Sequence, residues 1–238
     1  MFSESEKYYD EIYAAVGKDY PREVDRAHKF IQKHKRSNGK TLLDVACGTG
    51  AHAGYLGKYY TVEGLDLDTK MLSIARKKHP KIRFHQGDMT SFDLGRRFDI
   101  LVCLFSSIVY VKTRANLQKA IKAMSRHLLP GGVLLVEPWF TPKQWKPGRV
   151  GALHVDKPDL KIVRMGHAGQ RGKVSLLEFQ YLIGTPKGIE HSAEIHELGL
   201  FTHREYMDAF RASGLAIIHD PKGLDGRGLY IGRKPIQK

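Results

Sequence analysis

Only two cysteines, Cys47 and Cys103, occur in 238 residues, and each stands in an apolar run without a C-x-x-C partner. That excludes a disulfide framework and a cysteine-built zinc site, and both thiols read as packing residues. Long apolar runs are also missing. The longest stretch free of charge and helix breakers, Ile100 to Val111, is twelve residues long and contains two serines, whereas a membrane-spanning helix needs ~20 apolar residues. The first ten residues, MFSESEKYYD, have neither a basic start nor an apolar stretch, so no secretory leader is read and a cytoplasmic location is expected. Internal repeats and low-complexity tracts are absent. Histidine is plentiful, but His191 and His196 are five apart in a strand-like run, and His52 and His85 are isolated; no metal site is expected.

Positive charge is abundant. Lysine and arginine number 39 against 25 acids, a formal net charge of +14, and such a field attracts phosphates. The basic residues are dispersed as K-K-H-P-K, G-R-R-F and Q-K-H-K-R. That dispersal favours a basic face serving small phosphorylated ligands over a dedicated nucleic-acid surface.

Apolar periodicity supplies the fold class. Val24, Ala27, Phe30 and Ile31 recur at helical spacing after Pro21, a favourable first helical residue, until Ser37-Asn38-Gly39. Extended and helical stretches then alternate: Thr41 to Ala46, His52 to Lys58, Thr61 to Leu65, Thr69 to Lys78, Ile82 to His85, Phe98 to Phe105, a helix through Leu117 to Leu128, and Gly132 to Glu137. The rhythm predicts an α/β fold with a parallel sheet covered on both faces. From Pro138 to about Leu200 it gives way to runs at Lys161 to Met165, Val174 to Ile183 and His191 to Leu200, read as an antiparallel β excursion. Leu177, Phe179, Tyr181 and Ile183 alternate there as an apolar face that needs cover. A capping box at Thr202 and Glu205 restarts the helical pattern. Leu215 to His219 and Gly228 to Gly232 are too close for a crossover helix, so they predict an antiparallel terminal hairpin. Residues 1–140 and 200–238 therefore form a core, and 141–199 an insertion expected to cover the substrate and join two subunits.

Leu42-Leu43-Asp44-Val45-Ala46-Cys47-Gly48-Thr49-Gly50 places an acid near the end of a buried strand and two glycines before a helix, where the backbone can approach a ligand. With Ala53 the stretch also satisfies a relaxed dinucleotide fingerprint, so an NAD-binding module is a competing reading. Two further acids weigh against it. Asp66 ends the second strand and Asp88, in Gln86-Gly87-Asp88-Met89, follows the third, which sets three carboxylates along one sheet edge. Asp66 suits the two ribose hydroxyls, Asp88 an exocyclic adenine amine, and Asp44 a cationic group. That set fits S-adenosylmethionine and is poor for a pyrophosphate.

At these residues the chain resembles class I S-adenosylmethionine-dependent methyltransferases, whose seven-stranded sheet ends in an antiparallel hairpin. More narrowly it resembles the N,N-dimethyltransferases of dTDP-linked amino sugars. The likeness rests on Tyr9-Asp10 with Gly17-Lys18-Asp19-Tyr20, on Phe105-Ser106-Ser107-Ile108, on Val136-Glu137-Pro138-Trp139-Phe140, on Leu200-Phe201 and on Gly226-Arg227-Gly228-Leu229. The resemblance implies a cofactor shell of Tyr13, Tyr20, Asp44, Ala46, Cys47, Gly48, Gly50, Asp66, Leu67, Met71, Gly87, Asp88, Met89, Phe105 and Ser106. Tyr13 and Tyr20 would close over the cofactor, and Phe105-Ser106 would floor the reacting methyl. Tyr110, with Tyr13, would lie beside the acceptor amine. Trp139, Arg149, Arg164 and Arg227 would meet the rest of a nucleotide-linked substrate, the arginines its diphosphate. An RNA methyltransferase is the closer rival, favoured by charge; it usually carries [DN]-P-P-[YF] after the fourth strand, where this chain has Leu104-Phe105-Ser106-Ser107.

Overall fold

The computed structural model describes residues 5–236, so the outermost residues of the expected core segments lie outside it. A 3-10 turn (Ser5–Tyr8) leads into the short helix α1 (Tyr9–Ala15) and the longer helix α2 (Tyr20–His34). Asp19 caps α2 by accepting from the Arg22 amide at 3.0 Å, and Pro21 occupies its first turn, where a missing N–H costs nothing. Then follow β1 (Thr41–Val45), α3 (Ala51–Leu56), β2 (Thr61–Asp66), α4 (Thr69–Lys78), β3 (Arg83–Gln86), β4 (Phe98–Cys103), a 3-10 turn (Ser107–Val111), α5 (Arg114–Arg126) and β5 (Leu128–Val136).

The chain returns to this unit with α6 (His203–Ala212), β10 (Ala216–Asp220) and β11 (Leu229–Arg233). The seven strands line up as β10-β11-β5-β4-β1-β2-β3. β11 alone runs against its neighbours β5 and β10, as the short link between the last two strands requires. The Thr202–Glu205 capping box is present. Strand residues alternate between two cores. Leu42, Ile100, Val102 and Leu135 pack toward α2, α3 and α4; Leu43, Leu101, Cys103 and Leu134 pack toward α5 and α6. Burial on both faces explains why these strands read as continuous apolar runs. The strand order reverses between β1 and β4, the crevice where open α/β sheets bind ligands.

Between β5 and α6 a second, four-stranded antiparallel sheet is built from β6 (Val150–Lys157), β7 (Leu160–Arg171), β8 (Val174–Thr185) and β9 (Gly188–Gly199). β6 was not expected from the sequence. Its residues are mostly exposed and show no alternation. The alternating face of β8 turns inward. Tyr181 and Ile183 pack with Ile12 of α1, Val155 and Ile162, while Leu177 and Phe179 line the main cavity.

Candidate functional site

A cavity of about 1200 Å³ opens between the carboxyl ends of β1, β2 and β3, the first two helices and the second sheet. Beside it a pocket of about 30 Å³ is lined by Tyr20, Asp44, Cys47 and His52, and both spaces share Tyr9, Ala46, Gly48 and Phe105. The β1 loop forms the boundary through backbone that few side chains tolerate. Ala46 has φ 59°, Gly48 55° and Gly50 75°, and no atom lies within 4 Å of where a Cβ on Gly48 would stand. A ligand can therefore lie against this backbone.

Each acid has a distinct environment. Asp66 accepts the Gly48 amide on Oδ2 at 2.7 Å and the Asp68 amide on Oδ1 at 2.9 Å, which fixes its plane and leaves each oxygen capacity for a hydroxyl. Burial raises its carboxyl, opposed by those amides. Asp88 is exposed, and its Oδ1 accepts from the Thr90 amide and hydroxyl. Asp44 is 2% exposed, and its Oδ2 has no hydrogen-bond partner among the described residues. Burial, then the Asp66 charge, push its carboxyl up to about 8. A buried carboxylate oxygen without a donor is costly, and an ammonium group in the adjoining pocket would satisfy it. The Tyr20 hydroxyl, on the same pocket, is likewise unpaired among the described residues. Leu67, 49% exposed, stands with Met71, Gly87 and Met89 around the cavity near Asp66 and Asp88, an apolar surface suited to a purine. The donor set thus fits S-adenosylmethionine at both ends.

The roof over this half is aromatic. Tyr13 stands edge-on to Phe105 at 4.9 Å and packs on Tyr9 at 4.5 Å. Lys18 places its ammonium 3.8 Å from the Phe105 ring centroid and donates to Glu23 at 2.5 Å. Burial pushes the Glu23 carboxyl up, but bonds to His52 and Lys18 outweigh it and hold it below its ordinary range. Phe105 and Ser106 both have positive φ, 52° and 57°, a sparsely populated conformation for residues with side chains. Two bonds hold them. The Phe105 amide donates to Glu137 at 2.6 Å, and the Ser106 hydroxyl donates to the Pro138 carbonyl at 2.6 Å.

On the far side the cavity is walled by Tyr110, Trp139, Arg164, Phe179, His196 and Arg227. The Tyr110 hydroxyl lies 2.8 Å from His196 Nδ1. Burial raises both Tyr110 and Tyr13, and Arg164 beside Tyr13 opposes the shift there. Arg164 stacks on Phe179 at 4.5 Å. Arg227 is bonded to Glu137 and Asp225. Trp139 donates its indole N–H to Ser175 at 3.3 Å. Two expected residues do not reach the cavity: Arg149 is exposed in the loop before β6, and Gly50 serves as the left-handed N-cap of α3. Tyr20, Asp44 and Cys47 line the smaller pocket instead of the main one. Cys47 and Cys103 are buried, and burial raises both thiols, which disfavours the thiolate that a nucleophilic cysteine needs.

Two site residues had no motif to announce them, Glu194 and His196. They sit two apart on β9, facing the cavity side while Ile195 between them is 56% exposed. A strand that buries its polar residues and exposes its apolar one was a signal readable in sequence only once the register was known.

Comparison with known proteins agrees with this geometry. Residues 42–132 match the family described as Methyltransferase domain. The chain is 41% identical over 226 residues to the dTDP-3-amino-3,6-dideoxy-alpha-D-glucopyranose N,N-dimethyltransferase of Streptomyces fradiae, covering 94% of this chain and 88% of the relative. It is 38% identical to the dTDP-3-amino-3,4,6-trideoxy-alpha-D-glucopyranose N,N-dimethyltransferase of Streptomyces venezuelae, covering 94% and 95%. Among solved structures, Streptomyces venezuelae DesVI superposes with TM-score 0.92 at 37% identity, over 99% of this chain and 100% of the other. SAM-bound CalS10, an amino pentose methyltransferase from Micromonospora echinaspora, gives 0.87 at 36%, over 98% of each.

Proposed function

The chain belongs to the S-adenosylmethionine-dependent N,N-dimethyltransferases of dTDP-linked amino sugars, and from that premise we propose that it methylates the amine of such a sugar in the cavity between Tyr13, Tyr110 and the second sheet. The observation that carries this reading is the inward face of that sheet. Arg164, Glu194 and His196 point toward the cavity or its wall, and Val163, Met165, Leu182 and Ile195 point away, 38% to 56% exposed. A small polar acceptor explains the first set. A second copy of the chain, covering the outer face, explains the other, and we propose a homodimer through it.

Bound S-adenosylmethionine supplies an electrophilic methyl carried on a sulfonium. Asp66 and Asp88 hold the adenosine, and Asp44 meets the positive amino end. Phe105 and Tyr13 exclude water and leave one line of approach. Tyr13 and Tyr110 turn the amine lone pair along it, so most of the rate comes from alignment. Arg164 meets the diphosphate. Arg227 contributes to the same positive wall, with its charge already shared by two carboxylates.

Labelled cofactor offered with dTDP-amino sugars, small amines and total RNA tests the acceptor. Label is expected on the nucleotide sugars. Turnover of amines or RNA alone would overturn the acceptor while leaving methyl transfer. Light scattering at micromolar concentration tests the dimer, which a monodisperse monomer would reject.

A further inference from the structure

Building on the amine-acceptor reading, we propose that Tyr110, His196 and Glu194 form a proton path that clears the acceptor nitrogen before each methyl transfer. Tyr110 Oη is 2.8 Å from His196 Nδ1, and His196 Nε2 is 3.1 Å from Glu194 Oε1. Tyr181 donates to that same carboxylate oxygen. His196 is 4% exposed and Glu194 7%, so the path leads from the cavity wall into the second sheet, away from bulk water. Ionised Glu194 can only accept, which assigns the imidazole hydrogen to Nε2 and leaves Nδ1 to accept from Tyr110.

The chemistry calls for such a path. A nitrogen attacks only when neutral, and it leaves each transfer carrying one proton too many. A second transfer waits on the removal of that proton. In the step assigned here the N–H bond breaks and its electron pair returns to nitrogen. Tyr110 Oη takes the proton as its own hydroxyl hydrogen moves to His196 Nδ1. The resulting imidazolium is countered by the Glu194 carboxylate until the proton returns through Tyr110 to solvent entering the cavity as the methylated sugar leaves, and nothing is oxidised or reduced. The arrangement repeats the logic of a base oriented by a buried acid.

The titratable and charged groups around His196 come from four elements: Tyr110 on the 3-10 turn, Glu194 on its own strand, Tyr181 on β8, and Arg164 on β7 across the Phe179 ring, which lies 5.6 Å from the imidazole. Tyr13 of α1 adjoins Arg164. Two ionisable side chains buried on one strand cost stability unless they are paired, and groups held this way beside a cavity mark functional sites.

His196→Gln and Glu194→Gln test the path with dTDP-3-amino-3,6-dideoxy-α-D-glucopyranose as acceptor, products being weighed by mass spectrometry across a pH series from about 5 to 9. At pH 7 kcat is expected to fall about a hundredfold, with KM little changed. The acid limb of the kcat profile should move to higher pH, and monomethyl product should accumulate. Glu194→Asp should restore part of the rate. Dimethylation at the parent rate with the acid limb in place would overturn the proposal. So would a loss that is equal at every pH, since that is the signature of mere support for Tyr110. Calorimetric binding of S-adenosylmethionine certifies folding. If either variant fails it, Tyr110→Phe removes the first link and must show the same limb shift. Failure of the acceptor reading is seen separately, as absence of any methylated nucleotide sugar from the unsubstituted protein.

Discussion

Arg227 and Glu137, ninety positions apart, meet at 3.0 Å through Nη2 and Oε1, and the other oxygen of that carboxylate holds the Phe105 amide. The pair therefore joins the terminal hairpin loop to the strained floor of the site. Glu137 is fully buried and the Arg227 side chain only 17% exposed. Burial pushes the Glu137 carboxyl up, and Arg227 opposes it.

Arg227→Ala is accordingly expected to damage more than a substrate contact. Removing one partner of a buried ion pair costs about 3–5 kcal/mol. Chemical denaturation should show that loss, and Arg227→Ala combined with Glu137→Gln should recover part of it by removing the stranded charge. A variant as stable as the parent, altered only in KM, would instead make Arg227 a simple phosphate contact.

Asp66→Ala should weaken S-adenosylmethionine by roughly 2 kcal/mol or more, since charge-assisted bonds to both ribose hydroxyls are lost together with the anchor of the Gly48 amide. Titration calorimetry measures it. Binding within twofold of the parent would remove Asp66 from the cofactor site.

What was legible in advance followed from burial on a regular period. The central strands are apolar on both faces, and Asp44, Asp66 and Asp88 recur one strand apart, so the sheet and its acid edge could be read directly. The terminal hairpin followed from the length of a loop. The second sheet was harder. Val150–Lys157 has almost no buried residue to pattern it, and on β9 Glu194 and His196 face inward where alternation around Ile195 suggests the reverse. Arg149 suits a diphosphate by its charge, but its exposure depends on the turn into β6, which no local signal announces. Long-range pairings such as Tyr110 with His196 depend on packing between two sheets and have no trace in local sequence.

The Asp44 carboxyl gives a pH signature. Its folded-state value of about 8 lies above the unfolded value of about 3.9, so the folded protein binds this proton more tightly. The stability it contributes is complete below about pH 4 and is lost as pH rises toward 8. Without cofactor, melting temperature should therefore carry a component that declines across this window, and Asp44→Asn should remove it. Binding of the cationic cofactor favours the carboxylate, so binding at pH 7 should release protons from Asp44. Calorimetry in buffers of differing ionisation enthalpy reads that release. The same proton count in Asp44→Asn would show that the group lies elsewhere.

Ser106 separates strain from bonding. Its φ of 57° costs a residue bearing a Cβ about 1–2 kcal/mol relative to glycine, and its hydroxyl satisfies the Pro138 carbonyl in a site where Ser106 is 4% exposed. Ser106→Ala keeps the strain and loses the bond, at about 1–3 kcal/mol. Ser106→Gly loses the bond but relieves the strain, so it should be more stable than the alanine variant by about 1 kcal/mol. Activity should not follow that order. If Phe105 and Ser106 are held in an uncommon conformation to fix the floor beneath the methyl, both variants lower kcat, and the more flexible glycine floor lowers it at least as much. Denaturation curves and single-turnover rates on the same samples decide the matter. A glycine variant that regains both stability and rate would make the strain incidental to catalysis.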